Sequence, residues 1–215
     1  MKTARATAAP PRHSRMRTRR AVPAICIALL APLSVWSQVL DMSNDTITCN
    51  TVVASATISP PLVIHGTATA TTMRVRGSLA GCTVTGSQPA SIVSGRLTGK
   101  ITGTSNECVT LFQPLAGTIT MRWKADRATP IAPKSSTLAV SNVTFGGFTA
   151  PWGATYGQFS LGTTGVTGAF TGGDAGAASS NVSVTGEDIE EILARCGSPR
   201  GLDTLHIGIG SITLR

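Results

Sequence analysis

Residues 46–58 read TITCNTVVASATI and residues 67–79 read TATATTMRVRGSL. Both stretches alternate and are rich in β-branched residues, which marks half-buried strands and not helices. In the second, Met73 and Val75 fall on one face and Arg74 and Arg76 on the other, because successive side chains of a strand point to opposite sides. Pro60-Pro61 is read as the stop of the first stretch, and Gly81, just before Cys82, as the close of the second. Working outward, the pattern recurs over 91–102, 117–124, 137–145, 155–161, roughly 181–185 and 205–214. Turn-forming Gly, Pro, Ser and Asn separate these runs. The expectation is an all-β fold, an antiparallel sandwich or barrel of about eight strands. The two architectures are not separable at this level.

One segment breaks the period of two. In residues 186–197, GEDIEEILARCG, the residues Ile189, Ile192, Leu193 and Cys196 fall at i, i+3, i+4 and i+7 and predict one short helix near 187–196 with that face inward. Acids fill its first turns and Arg195 its last, in accord with the helix dipole. Gly197 and Pro199 supply the stop. Residues 172–180, GGDAGAASS, predict a loop.

The chain has 215 residues, of which 13% are charged, well under the usual ~25%. With 23 glycines and few Lys, Glu or Leu, coiled coils and acidic disordered tails are excluded. The net charge of +8 points at first to nucleic acid. Its position removes that reading: Lys2, Arg5, Arg12, Arg15, Arg17, Arg19 and Arg20 all precede an apolar run, 21–36, that ends in Val35-Trp36-Ser37. A basic head, a short apolar middle and small residues before the break predict a secretion signal over 1–37, followed by a single β-rich domain over 38–215. The apolar run is about 16 residues, below the ~20 that span a bilayer, so no transmembrane segment is expected in the mature chain. Without the seven leading cations, 11 basic residues face 10 acidic ones. Nucleic acid is then not an expected partner.

The expected mature chain keeps Cys49, Cys82, Cys108 and Cys196, an even count that predicts two disulfides in an exported protein. No two are close and no His accompanies them at ligand spacing, so a metal site is not expected. Three pairings are possible. If 47–58 and 68–80 form a hairpin about the Pro60–Gly66 turn, partners sum to about 130 and Cys49 lies opposite the region of Cys82. Cys108, at the end of the next strand, is left for Cys196 on the buried face of the helix. A Cys82–Cys108 bridge would require the two ends of a ~35 Å strand to meet.

The motifs GSLAGCT (77–83), ECVT (107–110), GTITMRW (117–123) and CGSPRGL (196–202), in that order, resemble those of a set of small secreted Thr/Gly-rich all-β proteins of high-GC Gram-positive bacteria. The resemblance covers most of 46–214 and implies export and a β-rich fold. It implies no activity and no site residues.

No catalytic residues stand out. The Gly-x-Ser-x-Gly elbow is absent, and His65 and His206 lack a distinguishable partner among many serines. The acids form no identifiable glycosidase pair, calcium loop or phosphate loop, and no cofactor is expected. Two features remain. Five aromatics (Phe145, Phe148, Trp152, Tyr156, Phe159) crowd into 15 residues, in a run around 145–153 that reads as a loop. Phe148, Trp152 and Tyr156 are the candidates for stacking on a sugar or apolar partner. In addition Arg74 and Arg76, Arg96 and Lys100, and Arg122 and Lys124 each keep even spacing within a strand, opposite Val75, Leu97 and Trp123. If those strands are neighbours, one face carries six cations, Arg74, Arg76, Arg122 and Lys124 foremost as ligand-binding candidates. The expected function is non-enzymatic: a secreted or envelope-associated domain that binds cell-wall polymer, polysaccharide or another anionic surface. The alternatives are an extracellular hydrolase with a loop-borne site and, from the Thr/Ser-rich strands, a pore-forming β-protein.

Overall fold

The computed structural model describes residues 39–86, 91–127, 130–149, 155–171 and 183–214. The chain divides into two units, Met1–Val35 and Trp36–Arg215, and every described residue belongs to the second. In chain order its elements are β1 (Leu40–Asp41), β2 (Thr46–Leu62), β3 (Thr71–Thr85), β4 (Ile92–Gly103), a 3-10 helix (Cys108–Phe112), β5 (Leu115–Ala125), β6 (Ile131–Ala132), β7 (Ser135–Thr149), β8 (Thr155–Gly168), β9 (Ser183–Asp188), α1 (Ile189–Cys196) and β10 (Leu202–Leu214). All eight expected strands and the one expected helix are present.

The long strands pair antiparallel in the order β10-β2-β3-β4-β5-β7-β8-β9, and β9 pairs in turn with β10. The sheet therefore closes on itself as a barrel. Eight strands leave an interior that side chains can just fill, and here they do: Ile47, Val52, Ile58, Met73, Leu79, Leu97, Ile101, Ile119, Met121, Leu138, Leu205 and Ile212 are all buried. Their outward neighbours in sequence are mostly Thr, Ser, Arg and Lys, as the period of two requires.

The ends are closed differently. At one end, β1 pairs parallel with β6, and Met42 and Phe170 are fully buried beside it. There Trp123 donates its indole N–H to Ser136 Oγ at 2.8 Å and meets Phe170 edge to face at 5.4 Å. At the other end, the 3-10 helix and α1 are joined by Cys108–Cys196. Asp188 caps α1 by accepting from the Glu190 N–H, and Arg195 donates to Glu187 at 2.8 Å and to the Thr204 carbonyl.

The β2–β3 hairpin has the expected register, running without a shift from Thr46↔Thr85 to Ser59↔Thr72 with Cys49 opposite Cys82. Those two cysteines are bonded, with a Cα–Cα distance of 3.9 Å, so the pairing that the hairpin geometry favours is the one present.

Several expectations are corrected. Pro60-Pro61 does not end β2. The prolines fall where the β10–β2 ladder jumps from Thr204↔Thr57 to Leu202↔Leu62, so their missing N–H groups leave no ladder bond unmade. Gly81 does not end β3; with φ +60 it takes a backbone conformation open to glycine, and the strand continues to Thr85. Cys108 opens the 3-10 helix and does not end a strand. Phe145–Thr149 is strand, not loop. In α1 the buried residues are Ile192 and Cys196, whereas Leu193 is 46% exposed, because an eight-residue helix lying across the barrel end covers only a narrow stripe.

Candidate functional site

Strands β3, β4 and β5 are consecutive neighbours, so the three pairs of cations do share one outer wall. Arg74, Arg76, Arg96, Lys100, Arg122 and Lys124 are all exposed, while Val75, Leu97 and Trp123 between them are buried. The register fixes who faces whom: Arg74 lies opposite Lys100, and Arg96 opposite Arg122. Like charges directly across a pair of strands repel and destabilise it. None of the three strands contains an Asp or Glu, and none of the six cations has an ion pair among the described residues.

The remaining charge lies elsewhere. Glu187, Asp188, Glu190, Glu191 and Asp203 belong to β9, α1 and the start of β10. Arg195 and Glu187 are paired there, with Asp203 3.6 Å from the guanidinium. The His206 backbone N–H donates to Glu187 at 3.3 Å, which ties the end of β9 to β10. His65 and His206 are both exposed; His206 lies on β10, opposite Ser55 of β2, and His65 in the turn after β2, so the barrel does not join them in one constellation.

Lys124 also borders a pocket of about 290 Å³ at the barrel end, lined by Trp123, Asp126, Arg127, Ile131 and Lys134 among others. Three cations, one carboxylate and an apolar floor suit a small acidic group. Sequence reasoning missed Arg127 and Lys134, since they meet Lys124 only through the turn from β5 by way of β6 to β7. The available signal was the density of cations over 122–134.

Of the aromatic candidates, Phe148 and Tyr156 occupy directly paired positions of β7 and β8, as do Phe145 and Phe159. Phe145 is buried and meets Phe112 at 5.4 Å. Trp152, expected to be exposed, lies outside the described residues. At the same end, Ile64, Val109, Phe112 and Leu193 are exposed apolar residues that the sequence did not single out. Among the described residues no cluster of ligands suits a metal ion, and no helix is long and apolar enough to cross a membrane.

What the fold and this wall define is a closed, filled β-barrel with one cationic side. Comparison with protein-family models, with curated proteins and with solved structures finds no match.

Proposed function

We propose that the protein is an exported, non-enzymatic β-barrel domain that binds anionic extracellular material through the outer wall of β3–β5. The observation that carries this is the opposition of Arg74 to Lys100 and of Arg96 to Arg122 on strands without a single acid. Folding alone gains nothing from such pairs, whereas a polyanion laid over them turns the repulsion into attraction. The two disulfides support an oxidising, extracellular setting, as do the basic head and apolar run of residues 1–37. A pore would need apolar side chains facing lipid and polar ones facing the lumen; the described strands have the reverse order, which favours a soluble binding domain.

The test is retention of the chain from Gln38 onward on phosphate- or carboxylate-bearing matrices. Residues 1–37 are removed so that their cations do not contribute, and the barrel lies wholly in what remains. Retention should weaken steadily with added salt and should largely vanish when Arg74, Arg76, Arg122 and Lys124 are replaced together by Gln. Salt-independent retention, or none, overturns the proposal. Turnover of generic ester, peptide or glycan substrates that is lost in His65→Ala or His206→Ala would establish the hydrolase reading instead.

A further inference from the structure

We infer that the cationic wall is a track for a linear anionic polysaccharide, laid obliquely across β3, β4 and β5 with one end anchored in the pocket beside Trp123. This rests on the binding function proposed above and specifies the shape and class of its ligand.

The geometry follows from the register. Lys100 and Arg74 are opposite, Arg76 is two residues along β3, Arg96 is diagonal to Arg76, Arg122 is opposite Arg96, and Lys124 is two residues along β5. Opposite positions are about 5 Å apart, positions two along a strand about 7 Å, and diagonals about 7–8 Å. The six cations thus form one unbroken line, advancing about 20 Å along the strands while crossing from β3 to β5. Sites at either side of the line are neutral: Thr72, Thr102 and Thr118 near one end, Ser78 and Ser94 near the other. A compact anion would touch two or three cations, whereas an extended chain with a charge every 5–7 Å meets all six.

The line has a direction. Its Lys124 end continues into the pocket with Arg127 and Lys134, where Trp123, Pro130 and Ile131 supply an apolar surface. Its Lys100 end runs out toward the 3-10 helix. The chain end of a polymer therefore has a seat at one extremity and none among these residues at the other.

Polysaccharide is favoured over single-stranded nucleic acid by what the wall lacks. Single-stranded nucleic acid is held by cations together with exposed aromatic rings on which bases stack. Strands β3 and β4 contain no aromatic residue, and the one in β5, Trp123, is buried. The side chains interleaved with the cations are hydroxyls, suited to a hydroxyl-rich partner.

The experiment uses fluorescence anisotropy of end-labelled oligogalacturonates of two to ten residues, at low salt. Affinity should climb about two- to fivefold for each added charge, the range of an exposed ion pair, and level off once the oligomer covers the six cations of the wall together with Arg127 and Lys134. Lys134→Gln and Arg127→Gln should weaken oligomers of every length by one common factor. Lys100→Gln should weaken only those long enough to reach it. Arg74→Lys and Arg122→Lys should retain binding, which separates charge from any disturbance of the fold. Equal affinity for dimer and decamer overturns the track, and equal sensitivity of short oligomers to Lys100→Gln and Lys134→Gln overturns its anchored end. An oligothymidylate of matched charge that binds as tightly overturns the polysaccharide assignment. If the matrices of the previous section retain the protein but no oligomer binds, the track is wrong and the binding function stands; if neither occurs, both fall.

Discussion

The two halves of the barrel are built to different standards. From β2 to β5 the ladders are almost unbroken: β2–β3 and β3–β4 run without a register shift, and β4–β5 shifts only at its last pair. From β7 round to β10 every ladder shifts, β7–β8 twice. The regular half carries the six exposed cations, and the irregular half carries α1 with the cluster of Glu187, Asp188, Glu190, Glu191 and Asp203; the shift that accommodates the two prolines lies at the seam where β10 meets β2. Regularity is what gives the cations a fixed spacing. Bulges twist and bend a strand locally, which suits the half that must bring β9 and β10 back to β2.

This contrast is open to perturbation. The largest effect expected is from the disulfides. Replacing Cys108 and Cys196, 88 residues apart, by Ala should lower stability by about 4.6 kcal/mol in the chain-entropy model, against about 3.7 for Cys49 and Cys82, 33 apart. Denaturant midpoints under non-reducing conditions measure both, and a reversed order would show that the regular hairpin, not the helix end, is the more dependent on its bridge.

Glycines sharpen the comparison. A Cβ on Gly117 would lie 2.1 Å from the Lys100 carbonyl oxygen, whereas one on Gly165 would meet nothing within 4 Å. Gly117→Ala should therefore destabilise by about 1–3 kcal/mol, and Gly165→Ala should stay within about 0.5 kcal/mol. Equal costs in thermal unfolding would mean that the close approach at Gly117 is relieved by a local shift of β4 against β5.

Arg195→Ala in the irregular half breaks the pair with Glu187 and the bond to the Thr204 carbonyl. The side chain is 29% exposed, so a loss of about 1 kcal/mol is expected, with hydrogen exchange in α1 rising more than in β3. Uniform exchange would show the helix to be held by its disulfide alone.

The smallest effect has the opposite sign. Arg122→Thr removes one cation from a like-charged pair and should raise Tm by about 1 °C at low salt, an increment that shrinks as salt is added. A drop in Tm would mean that Arg122 is held by something other than repulsion, and would weaken the case for a binding wall.

Much of the regular half was legible in the sequence, because local alternation is enough to define a strand and its two faces. The Met73–Arg76 stretch placed its two arginines outward, and the hairpin arithmetic paired Cys49 with Cys82. The irregular half was less so. Leu193 has the spacing of a core residue, but burial depends on how much of the barrel end an eight-residue helix can cover. Closure itself was illegible: barrel and sandwich differ only in whether β9 pairs on both sides, which no local pattern encodes. The cations were visible as three pairs, yet their union needs the order β3-β4-β5, and the pocket needs a turn to bring Lys134 beside Lys124.

The β10–β2 seam has a consequence for how the molecule comes to exist. The first long strand and the last are neighbours, with Ile47 beside Leu214, so the barrel is a hoop fastened by its two extremities. Until β10 has left the ribosome, β2 keeps one edge unpaired and the hoop stays open. Contacts between sequence-distant strands form slowly, whereas the β2–β3, β3–β4 and β4–β5 ladders need no contact with β10, so the seam is the ladder expected to close last. A permuted chain that joins the region of Leu214 to that of Thr46 and is opened between β3 and β4 would only move the fastening to the β3–β4 ladder, and its folding rate should change little.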